Sequence, residues 1–155
     1  MIEPPGELLI EQRVERSRED PYATRVNRDG SVYEYTSETA SYEDGEWTFG
    51  SQPLEWRPLA QLSRRAVAEL EDELRRIGVV DFPAERLQAG TGIAGSNIVW
   101  TVDLDARRHT VTLIGVDEEQ PAPFGELDRL LRLEIARAVA PDDDEPAQSS
   151  DLTNV

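Results

Sequence analysis

The apolar positions of this chain follow two rhythms. Between Pro58 and Pro83 they recur at helical spacing. Leu59, Leu62, Ala66, Val67, Leu70, Leu74 and Ile77 share an arc of roughly 140° on a helical wheel. Arg64, Arg65, Glu69, Glu71, Asp72, Glu73, Arg75 and Arg76 fill the opposite side. The pattern predicts one helix with one buried face. Ser63 is placed to cap its first turn, with a start nearer Pro58 as the alternative, and Gly78 suits the left-handed residue that closes it. A second helical run covers about Phe124 to Val139. It puts Phe124, Leu127, Leu131, Ile135 and Ala138 on one face, Leu130 at its margin and Leu133 pointing away.

Elsewhere the period is two. Leu8, Ile10, Gln12 and Val14 share one side of a predicted strand. Tyr22, Thr24 and Val26 lead into the turn Asn27-Arg28-Asp29-Gly30. The strand formers Val32, Tyr33, Tyr35 and Thr36 follow, which reads as a hairpin. A weaker hairpin surrounds Asp44-Gly45, with Tyr42 before it and Trp47 and Phe49 after. Pro53 and Pro58 bracket Leu54 and Trp56. Ile98, Trp100, Val102 and Leu104 alternate with polar neighbours, and a turn at Ala106-Arg107-Arg108 leads to Val111 and Leu113 on the return strand. The predicted fold class is α+β: an antiparallel sheet of hairpins with two helices packed on one face. The order is three to five strands, a helix, a strand pair and a helix. Residues 8–140 form a single domain on this reading, after a loose lead at 1–7. The acidic stretch 141–155 has too little to bury and is expected to be disordered.

Composition narrows the function. The net charge is −16, from 32 acids against 16 bases. The stretch from Pro141 contributes five of those acids and no base, so most of the excess belongs to the body. A surface of this sign repels phosphate backbones, and no nucleic-acid partner is expected. No apolar run is long enough for a membrane helix, and the start MIEPPGELLIEQ lacks the basic and apolar regions of a secretory signal, so no membrane partner is expected either. Cysteine is absent, which removes disulfides and thiol chemistry and fits a cytoplasmic protein.

The candidate chemistry is sparse. Gly90-Thr91-Gly92-Ile93-Ala94-Gly95 matches the dinucleotide fingerprint in letters, but a helix precedes it and a strand follows, the reverse of what a phosphate-binding turn requires. It reads instead as a glycine-rich loop within 84–97, a reasonable contact surface. His109, the single histidine, reads as an ordinary surface residue. Asp103-x-Asp105 and Asp117-Glu118-Glu119 lack the spacing of a calcium loop. Trp47, Trp56 and Trp100, with the four tyrosines, read as core and cross-strand packing.

One resemblance rests on these residues. Pro21-Tyr22, Val26, Asp29-Gly30 and Val32 with Tyr33 or Tyr35, then a helix ending in Gly-Val-Val-Asp-Phe and a strand pair, resemble small bacterial domains of unknown function. The later half, with TVDLDARRHTVTL and FGELDRLL, is similar to emfourin-type protein inhibitors of metalloproteases. That second likeness implies a protease-inhibitor-like module. The chain lacks the glycine-rich segment those inhibitors carry after their first strand, and no functional residue is carried over.

The sequence therefore points to a non-enzymatic binding or interaction domain. The alternatives are a protease-inhibitor-like module and a carboxylate-based hydrolase. No catalytic, cofactor-binding or metal residue is assigned, and no cofactor is expected. Gly90, Gly92, Gly95 and Leu133 are the candidate interaction surface, facing an unknown protein partner. The chain is expected to be a monomer or a weak homodimer, with Leu133 or an exposed strand edge as the contact.

Overall fold

The computed structural model describes residues 3–16, 19–81, 86–88, 95–116 and 119–139. Four strands come first: β1 (Leu8–Arg16), β2 (Glu19–Asn27), β3 (Ser31–Glu43) and β4 (Glu46–Gln61). Helix α1 (Arg64–Ile77) follows, then a short 3-10 turn at Val79–Asp81. Strands β5 (Arg86–Gln88), β6 (Ser96–Leu104) and β7 (Arg107–Val116) precede helix α2 (Phe124–Val139). The strands lie side by side in the order β4-β3-β2-β1-β6-β7-β5. Neighbours are antiparallel apart from β5, which runs parallel to β7 through Leu87↔Leu113. The α+β class and the hairpin sheet thus stand as expected. The short parallel edge strand is an addition that a three-residue segment in a polar stretch does not announce.

Register explains the core. Ile10 pairs with Val26 on one side and Val102 on the other, so these side chains share a face. Trp100 and Leu113 join them, and Val67, Leu70, Leu74, Leu127 and Leu131 from the two helices complete one buried cluster. Burying one apolar face of each helix on one face of a sheet is what lets both helices persist in water.

Helix α1 begins as expected at Ser63, whose Oγ accepts from the Ala66 amide at 3.1 Å. Gly78 closes it with φ 66°. The start nearer Pro58 does not occur. Pro58 and Leu59 belong to β4, and Leu59 is exposed rather than on the helix's buried face. The reason is positional: β4 is an edge strand, where proline's missing amide costs no ladder bond. The turn between β6 and β7 also shifts. Asp105 and Ala106 form it, with φ 53° and 65°, while Arg107 and Arg108 already pair in the strand.

The lead expected to be loose is held from Glu3 onward. Pro4 is buried. Arg25 donates to Glu3 Oε1 at 2.6 Å and to the Gly6 carbonyl at 3.2 Å, and Asn27 Nδ2 donates to the Pro5 carbonyl at 2.7 Å. The acidic stretch 141–155 lies outside the described residues. No described helix is long and apolar enough to cross a membrane.

Candidate functional site

Of the four residues expected to form an interaction surface, Gly90 and Gly92 lie outside the described residues. Gly95 leads directly into β6. A Cβ there would meet the Val116 carbonyl oxygen at 2.6 Å and the Gly115 carbonyl carbon at 2.7 Å, so glycine is required by close backbone approach. Leu133 is 46% exposed on the side of α2 away from the core. His109 is half-buried on β7, opposite Val102. Its Nε2 is buried without a hydrogen bond, so it is not the ordinary surface histidine expected. Among the described residues no cluster of three carboxylates or histidines is close enough to hold a metal ion.

Three features have the geometry of sites. The first is a cleft of about 360 Å³ where the N-terminal part of α2 meets β1, β2, β6 and β7. Its inner wall is a polar cluster that spans the chain. Gln12 Nε2 donates to Asp128 Oδ1 at 2.9 Å, and Arg132 donates to Gln12 Oε1 at 2.6 Å. Nearby, Trp100 Nε1 donates to Gln120 Oε1 at 2.8 Å. Gln12 is buried, so this cluster satisfies a polar side chain inside the core. Its groups are committed to one another, which makes the cleft's wall structural.

The second is a pair of carboxyls, Glu69 on α1 and Glu134 on α2. Glu134 is 4% exposed. Its burial, and then its bond to Glu69, push its pKa up to about 6. Glu69 is held below the usual carboxylate range, first by the same bond. Two acids with split protonation are what acid–base hydrolysis uses. Here they sit on the seam between two helices, outside the cleft just described, with Arg65 3.4 Å from Glu69 and Arg137 3.9 Å from Glu134. The arrangement ties the helices together.

The third is a projecting arm. The ladder between β2 and β3 runs from Val26↔Val32 to Ala23↔Tyr35. The ladder between β3 and β4 continues to Glu43↔Glu46. The two longest strands therefore extend together beyond the rest of the sheet. Their turn, Asp44-Gly45, has φ 53° and 82°, the left-handed pair that suits the twist of a two-residue hairpin loop. On β4, Trp47 and Phe49 are two residues apart and so share a side. They are 61% and 78% exposed, and their rings stack with centroids 6.3 Å apart and planes at 16°. Residues 36–51 also hold Glu38, Glu43, Asp44 and Glu46 and no basic residue.

The tryptophans, all expected in packing, thus divide. Trp100 is fully buried, Trp56 pairs with Tyr35 across strands, and Trp47 is largely exposed. The signal that separates Trp47 is its place next to a two-residue turn. No protein-family model and no curated protein matches the chain.

Proposed function

We propose that the chain is a non-enzymatic binding domain and that the arm formed by β3 and β4 carries its contact surface. The observation that supports this most is the exposed, stacked pair Trp47 and Phe49 at the arm's end. Large aromatic side chains are the usual energetic anchors of protein interfaces, because each buries much apolar area at a small cost in rotamer freedom. Leaving two of them side by side in water is unfavourable unless a partner covers them. The acids around them and the net charge of −16 select that partner: a protein surface with an apolar depression rimmed by lysine or arginine. The same charge disfavours a second copy of the chain, so the protein works as a monomer. The lack of cysteine fits a cytoplasmic setting.

A random-peptide display selection tests the reading. It is run on the immobilised chain and on a Trp47→Ser, Phe49→Ser variant. The expected outcome is enrichment of sequences that join apolar and basic residues on the wild type and not on the variant. No enrichment, or the same sequences on both, overturns it. A thermolysin-type metalloprotease should keep full activity in an excess of the chain; inhibition favours the inhibitor-like module instead.

A further inference from the structure

The face of the sheet turned away from the helices carries a second apolar feature. Val26 and Val32 point into the core, so Arg25, Tyr33 and Tyr35, which follow the opposite alternation, point outward. There Tyr33, Tyr35 and Trp56 form the wall of a slot of about 490 Å³, and the lead residues Pro4 and Pro5 line it too. Tyr35 and Trp56 stand at 52° with centroids 5.3 Å apart. We propose that this slot binds an extended proline-rich peptide segment bearing arginine.

Five observations converge on that chemistry. The wall is aromatic, and flat rings are the surface against which proline rings pack in recognition of polyproline helices. Pro4, already buried beside this wall, shows that a proline ring fits. The lead's Pro5 and Gly6 carbonyls accept hydrogen bonds from Asn27 and Arg25 at 2.7 Å and 3.2 Å, so side chains of this face already hold backbone carbonyls of a proline-bearing segment. The indole Nε1 of Trp56 is buried and donates to nothing. A buried tryptophan usually finds an acceptor; when the indole turns to open this atom to the slot, a polyproline helix, having no internal hydrogen bonds, offers it a carbonyl. The carboxylates of Glu3 and Glu55 flank the slot and remain 61% and 59% exposed. Each has one arginine partner among the described residues, which leaves room for the ligand's guanidinium at the exposed oxygens. A peptide already stiff in the bound conformation also loses little entropy on docking.

The inference shares with the proposed function the premise that the chain binds protein segments, but it uses a different surface, so the two fail separately. The test is a titration of the isotope-labelled full chain with an oligoproline peptide flanked by arginines. The readout is the set of three indole N–H resonances. The Trp56 signal should move, while those of exposed Trp47 and of Trp100, bonded to Gln120, stay fixed. Trp56→Phe, which leaves a smaller aromatic ring and removes the donor, should weaken binding at least about 5-fold, from the lost hydrogen bond and the reduced wall together. Glu55→Gln should weaken the arginine-flanked peptide but not plain oligoproline. Trp47→Ser with Phe49→Ser should change nothing. A Trp56 signal that stays fixed at millimolar peptide overturns the proposal. So does equal binding of a peptide in which alanine replaces every proline.

Discussion

The carboxyls of Glu69 and Glu134 meet across the seam between α1 and α2, near enough for one to donate to the other. Two carboxyls can share such a bond only if one of them keeps its proton. Burial decides which: Glu134 is nearly enclosed, so its charged form is the costlier one, and Glu69 at 40% side-chain exposure takes the charge.

This contact makes stability depend on pH. The folded-state pKa of Glu134 lies at about 6, above its ordinary 4.5. Its contribution is therefore complete below about pH 4.5 and is lost as pH rises through 6. At about 1.4 kcal/mol per unit, the loss is at most about 2 kcal/mol. The lowered pKa of Glu69 acts in the opposite sense, present above its unfolded value and lost as pH falls through the folded one, so it offsets part of the effect. Glu134→Gln keeps a hydrogen-bond donor toward Glu69 at every pH. Urea unfolding should show the variant gaining on the wild type by about 1–2 kcal/mol between mildly acidic and mildly basic conditions. A constant difference between the two across that range would show that folding does not raise the pKa of Glu134.

The cluster of Gln12, Asp128 and Arg132 predicts a second effect on stability. Asp128→Ala removes the acceptor of Gln12 Nε2 and leaves a buried donor unpaired, which costs about 1–3 kcal/mol. Adding Gln12→Met removes that orphan donor while keeping the volume. The double variant should therefore be more stable than Asp128→Ala alone, as measured by denaturant midpoints. If the two losses simply add, the hydrogen bond between β1 and α2 is not what holds Gln12 in place.

How far the sequence reached can be seen at Gln12 itself. Period-two alternation puts it on the same side as Ile10 and Val14, so its inward direction was legible. Its partner was not, because Asp128 lies 116 residues away and nothing local marks the pair. The caps at Ser63 and Gly78, the bounds of α2 and the β6–β7 hairpin were also legible, since each rests on interactions within a few residues. Pro58 misled for a physical reason: proline suits a helix's first turn and is excluded from central strands, and only the sheet order shows that β4 is an edge. The exposure of Trp47 and the slot beside Tyr33 and Trp56 depend on where β2 stops pairing and where the lead crosses. Neither event has a local signature.

The arm makes a prediction independent of any ligand. Because Trp47 and Phe49 are exposed, replacing both by serine should change folding stability by no more than about 0.5 kcal/mol, the usual range for surface positions. Calorimetry of the variant checks this. A loss well beyond that range would mean that the rings support the fold, and the reading of the tip as a contact surface would lose its main support.

Backbone conformation at three turns gives an ordered series of effects. Gly78 has φ 66°, and a Cβ added there would meet no atom within 4 Å, so Gly78→Ala carries only the left-handed penalty of about 1 kcal/mol. Gly30 has φ 90°, and a Cβ there would lie 2.5 Å from the Leu62 carbonyl oxygen. That oxygen is backbone at the entry to α1 and cannot swing aside, so Gly30→Ala should cost clearly more, about 2 kcal/mol or above. Ala106 already bears the penalty, at φ 65° in the β6–β7 turn, and Ala106→Gly should stabilise the protein by up to about 1 kcal/mol. Thermal unfolding of the three variants should place Ala106→Gly above the wild type, Gly78→Ala below it and Gly30→Ala lowest. If Ala106→Gly lowers the midpoint, the entropy glycine adds to the unfolded chain outweighs the strain relieved at the turn.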